Sequence, residues 1–199
     1  IPTTTQGTPD EDALEEALHQ DDVAALALSF VQFSTGFRAD LDRFSKVCRE
    51  RDIVFVVDAI QGVGAVPIDV RSTHIDVLAC GAQKWMCSPW GTGFTFIRPE
   101  LSEHVEPYLP GWLSFTGSRD YTRLTEYRYE LRTDAERFEV GSLPFQSCVA
   151  FAEATELLSE LEVGEIWNHI RTLQDEVIAW GEAGGNVQIR FRLSGDFFY

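Results

Sequence analysis

Two hydrophobic periods alternate along the chain, and they predict different elements. Asp10 precedes Glu11, Asp12, Glu15 and Glu16 while Leu14, Ala17 and Leu18 share one face, which predicts a capped helix led by acids. Residues 24–31 read as a buried strand. A helix capped by Asp40 follows and turns Leu41, Phe44, Val47 and Cys48 inward. Residues 53–57, 75–80 and 93–97 are further short apolar runs. Their hydrophobicity is continuous rather than alternating, which predicts strands covered on both faces and an α/β fold, a mainly parallel sheet sandwiched by helices. In such sheets ligands lie beyond the carboxyl ends of the strands.

Residues 107–146 break the pattern with Pro, Gly, Trp and Tyr, as expected of a long loop or excursion. Helical spacing then returns in Phe151, Ala154, Leu157, Leu158 and Leu161, with Gly164 as a break. A last helix from Glu165 is expected to turn Ile166, Ile170, Leu173, Val177 and Trp180 inward and to stop before Gly181.

Charge sharpens this picture. The 199 residues carry 16 basic and 32 acidic side chains, a net charge of −16, which argues against a protein that tracks nucleic-acid phosphates. Residues 1–22 hold seven acids and no base, and residues 152–182 hold eight acids and one base, so most of the excess belongs to solvated helical flanks. At 44% hydrophobic there is material for a sizeable core. No run approaches the roughly 20 apolar residues of a membrane span, and no export signal is visible, so the expected location is the cytoplasm. Cys48, Cys80, Cys87 and Cys148 form no C-x-x-C pair and read as reduced thiols, and neither they nor the four His show the spacing of a metal site.

Fourteen of the basic residues are Arg, and only Lys46 and Lys84 are Lys. Two strands end in polar groups: Val57-Asp58-Ala59-Ile60-Gln61-Gly62, and Cys80-Gly81-Ala82-Gln83-Lys84-Trp85. Asp58 and Lys84 in one half-buried site are either a compensating ion pair or a site that needs an amine able to become neutral. Lysine meets the second requirement and arginine does not. Gly62-Val63-Gly64 is not a dinucleotide fingerprint, because Pro67 stands where the third glycine belongs.

Together with Ile75-Asp76, Gly91-Thr92-Gly93-Phe94, residues 30–38, Gly111-Trp112 and residues 137–142, these segments resemble the class V aminotransferase group of pyridoxal-phosphate enzymes. That group includes cysteine desulfurases, selenocysteine lyases, kynureninases and isopenicillin N epimerase-like proteins. The resemblance implies the large domain of fold type I and the cofactor pyridoxal 5'-phosphate. It implies that Lys84 binds the cofactor as a Schiff base and then shuttles the substrate Cα proton. It further implies that Asp58 faces the pyridine nitrogen and that Gln61 bonds the phenolic oxygen. Gln83 stands where the group commonly has His near the phosphate. Ser142 matches a Ser or Thr that reaches the phosphate of a neighbouring subunit, which implies a homodimer. Arg192, in an R-x-S tail pattern, would bind the substrate carboxylate. Phe33 stands where relatives often place Asn or Ser near the ring oxygen.

On this reading residues 1–145 are part of the cofactor domain and residues 146–199 are helices plus a shortened remnant of a small domain. An earlier phosphate-binding turn lacks a counterpart, so a fragment, an incomplete gene model or an internal deletion is expected. The expected activity is aminotransferase-like, on an amino acid. Desulfuration, lyase or epimerase chemistry of the same group is the alternative, and a non-catalytic remnant or interaction protein is the contrasting one. Desulfuration needs a mobile Cys, and none lies in a plausible late loop. Trp85 and Trp90 are expected to pack their loop, and Cys80 and Cys87 to be structural.

Overall fold

A computed structural model describes residues 2–5, 7–123, 125–126 and 128–184. Helix α1 spans Glu11–Leu18 and is followed by strand β1, Ala25–Ser29, helix α2, Leu41–Glu50, and strands β2, Val54–Asp58, and β3, Val77–Gly81. Strand β4, Gly93–Ile97, leads into the short helix α3, Pro99–Ser102, and two long helices close the described chain, α4 at Phe145–Leu161 and α5 at Val163–Glu182.

Both expected amino-terminal caps form. The Asp10 carboxylate accepts from the Ala13 amide and the Asp40 carboxylate from the Arg43 amide, each at 3.0 Å. These bonds satisfy amides that the first turn of a helix leaves without partners. Arg43 of α2 then reaches α1, with Nη2 2.6 Å from Asp12 and Nε 2.5 Å from Glu15.

The sheet runs in the order β1-β2-β3-β4. The first three strands are parallel, with Ser29 beside Asp58 and Asp58 beside Ala79, and β4 turns back antiparallel so that Gly81 faces Gly93. The carboxyl ends of β1, β2 and β3 therefore share one edge. Below that edge Leu14, Leu18, Phe44, Cys48, Phe55, Val57 and Leu78 form a buried cluster between the two amino-terminal helices and one sheet face. Phe44 and Phe55 are wholly inaccessible, and burying such a side chain contributes about 1.5–3 kcal/mol.

Two expectations about burial change. In β2 and β3 buried and half-buried residues alternate, and β4 is mostly exposed, so among the described residues only one sheet face is sealed. In α4 and α5, Leu158 and Trp167 are buried, but Leu157, Leu161, Leu173, Val177 and Trp180 are exposed rather than inward. The helical period identifies an apolar face but not what covers it. Helix α5 also runs through Gly181, because one glycine costs a helix only about 1 kcal/mol.

Candidate active site

Asp58 is the last residue of β2, and its carboxylate accepts the Ile60 amide at 3.1 Å, which starts the turn that carries Gln61. Lys84 lies three residues beyond β3 in a turn closed by the Cys87 amide donating to the Lys84 carbonyl at 2.9 Å. The turn after β2 packs on this loop through Gly64. Its φ is +98°, and a Cβ there would lie 2.6 Å from the Trp85 carbonyl oxygen. The acid and the amine thus stand on neighbouring loops of one sheet edge.

Cys80, buried in β3, reports on both charges. Burial pushes its thiol up to about 11, Asp58 adds to the rise, and Lys84 opposes it. Asp58 and Lys84 are themselves exposed rather than half-buried.

A cavity of about 1030 Å³ opens beside Asp58, lined also by Cys80, Gln83, Thr92, Phe94 and Glu139. It has the scale of a small-molecule site. Gly81, Gly91 and Gly93 contribute bare backbone to its wall, and the Gln83 side chain folds against Gly81, where a Cβ would lie 2.6 Å from Oε1. Glu136, another wall residue, is tied to Arg119 and Arg132 at 2.5 and 3.0 Å.

The other expected site residues are more scattered. Asp58 and Gln83 line this cavity, whereas Lys84, Gln61 and Ser142 do not: Gln61 is half-buried on the turn after β2, and Lys84 and Ser142 are exposed. Arg192 lies outside the described residues. Trp90 is 83% exposed and Trp85 is also exposed, so Trp90 in particular does not pack its loop as expected. Among the described residues no cluster of three or more His, Cys, Asp or Glu is placed to hold a metal ion. Glu136 and Glu139 reach the cavity from a loop without periodicity, and only the tertiary fold reveals them. Phe33 was noted as a departure from the group, and its ring lies 5.5 Å from Lys84 Nζ in cation–π geometry.

Residues 1–182 match the aminotransferase class-V family, so the chain belongs to that family of pyridoxal-phosphate enzymes. It is 26% identical over 167 residues to an uncharacterized aminotransferase, YcbU, of Bacillus subtilis, covering 83% of this chain and 42% of the relative. It is 30% identical over 169 residues to a probable cysteine desulfurase of Aeropyrum pernix, covering 85% of this chain and 40% of the relative. The fold resembles the apo structure of a cysteine desulfurase from Thermococcus onnurineus, with a TM-score of 0.78 at 24% identity over 92% of this chain and 44% of the other. The chain thus spans about two-fifths of the length of these relatives.

Proposed function

We propose that this chain is part of a pyridoxal-phosphate enzyme acting on an amino acid, with Lys84 as the cofactor-binding lysine and an aminotransferase-like reaction. The supporting observation is the shared edge: an acid ending β2 and an amine just past β3, both acting on the thiol of Cys80 between them.

The residues present fit the ring end of the cofactor. Asp58 is a carboxylate at the cavity wall, suited to accept from a protonated pyridine nitrogen. The phosphate end is served more sparsely, by the Gln83 amide and, from a second copy, Ser142. Bound pyridoxal phosphate supplies an electrophilic aldehyde and an electron-withdrawing ring. Lys84 would hold the cofactor through its Nζ and, once a substrate amine has taken its place, would carry the Cα proton. Asp58 would keep the pyridine nitrogen protonated and Gln61 would donate to the phenolic oxygen, while Arg192 would pair with the substrate carboxylate. Ser142 is exposed and so accessible to a second copy, and the resemblance gives it the partner's phosphate in a homodimer. Residues 1–145 then form part of the cofactor domain, with the later helices leading into a second domain.

Desulfuration is the second reading, favoured by relatives that bear that name. It calls for a thiol that reaches the substrate sulfur: Cys48 and Cys80 are buried with thiols pushed up to about 11, Cys148 is half-buried, and Cys87 is exposed in the Lys84 turn.

Titration of the chain with pyridoxal phosphate tests the proposal. The wild type should gain the visible absorbance of lysine-bound cofactor, and Lys84→Ala should gain none. Asp58→Asn should bind about tenfold or more weakly, the scale of a lost charge-assisted hydrogen bond. A visible band of equal strength in Lys84→Ala, or none in the wild type, contradicts the assignment, and the second result is what a non-catalytic remnant predicts.

A further inference from the structure

The Lys84 ammonium rests against an aromatic ring supplied by a different loop. Phe33 follows β1 and Lys84 follows β3, so their contact spans the carboxyl end of β2, where Asp58 stands. Phe33 Cα is not free to wander. The Gly36 amide donates to the Gln32 carbonyl at 2.8 Å, the Gln32 amide donates to the Phe37 carbonyl at 2.8 Å, and Val31 pairs with Arg38 across the base of the turn. Gly36 closes this turn with φ +72°, and Thr35 Oγ1 accepts the Phe37 amide. A braced turn therefore presents the Phe33 ring, 82% exposed, to the Lys84 amine.

We propose that Phe33 is a positioning residue for Lys84, its ring face holding the amine over the end of β2 so that it is presented to a cofactor lying against Asp58. This role rests on the reading of Lys84 as the cofactor-binding lysine. Without the ring, a lysine on an exposed loop samples many rotamers, and few of them lie over the end of β2. With it, one side of the amine is covered and the stem is steered toward β2. The contact is electrostatic as well as apolar, so Tyr should replace Phe and Leu should not.

The two lysines of the chain allow an internal comparison, because Lys46 is exposed on α2, outside the site. Brief treatment with an acetyl N-hydroxysuccinimide ester, followed by peptide mass spectrometry, gives the ratio of Lys84 to Lys46 acetylation without any cofactor. Phe33→Ala and Phe33→Leu should raise that ratio roughly two- to fivefold, the size of an exposed cation–π contact, while Phe33→Tyr should leave it at the wild-type value. In the same variants, the rate at which Lys84 captures pyridoxal phosphate should fall by a similar factor for Ala and Leu only. A loss of fold would move both lysines together and is read separately from the far-ultraviolet circular dichroism.

Unchanged acetylation ratios in Phe33→Ala and Phe33→Leu overturn the proposal, even if wild-type Lys84 binds cofactor normally. A raised ratio without slower capture also overturns it, because the contact then exists but does not position. Failure of the wild type to capture cofactor overturns the reading of the site instead, and the proposal with it, whatever the acetylation ratio shows.

Discussion

Asp58 is the polar residue that ends β2 and Lys84 lies just past β3, and Cys80 of β3 is near enough to feel both charges. Its thiol is pushed up to about 11, chiefly by burial, and that of Cys48 rises to the same value for the same reason. Both stay protonated near neutral pH, where the thiolate is the reactive form. Iodoacetamide should therefore modify the exposed Cys87 roughly tenfold faster or more than Cys48 or Cys80, as peptide mapping over time would show. Equal rates would mean that β3 is open at Cys80. At this scale the sequence is informative about position: Asp58 ends β2, Gln61 lies on the turn after it, and Lys84 follows β3. It is silent on the pairing of Phe33 with Lys84, which depends on β1 and β3 flanking β2.

Elements place these residues, and the turn after β2 is the most exacting of them. Gly64 combines a positive φ with a backbone approach to Trp85, the residue after Lys84. Gly64→Ala puts a Cβ into the Trp85 carbonyl and strains the backbone, at a cost of about 1 kcal/mol or more. The Lys84 loop should be pushed away from Asp58, lowering the denaturation midpoint in urea and weakening cofactor absorbance together. A variant with wild-type stability and absorbance would show that the two loops do not lean on each other. Strand β4 coincides with its apolar run, and α2 begins at its Asp40 cap, because local period and capping decide both. The faces of α4 and α5 were less legible. Leu173, Val177 and Trp180 repeat at helical spacing, yet the described residues leave them exposed, since periodicity names a face and not its partner.

Across the whole molecule, the net charge of −16 describes solvated helices at either end of the sheet sequence, while Asp58 and Lys84 stand at the sheet edge. Within the described residues no helix is long and apolar enough to cross a membrane. Membership in the aminotransferase class-V family fixes the fold and the kind of cofactor, and the chain spans about two-fifths of its relatives. The central claim is narrower than the family: of two lysines, one binds pyridoxal phosphate. Incubating the chain with pyridoxal phosphate, reducing with borohydride and mapping the peptides tests it directly. The account predicts a pyridoxyl adduct that saturates on Lys84 while Lys46 stays at background. An adduct shared equally by the two lysines, or absent from Lys84, would contradict it.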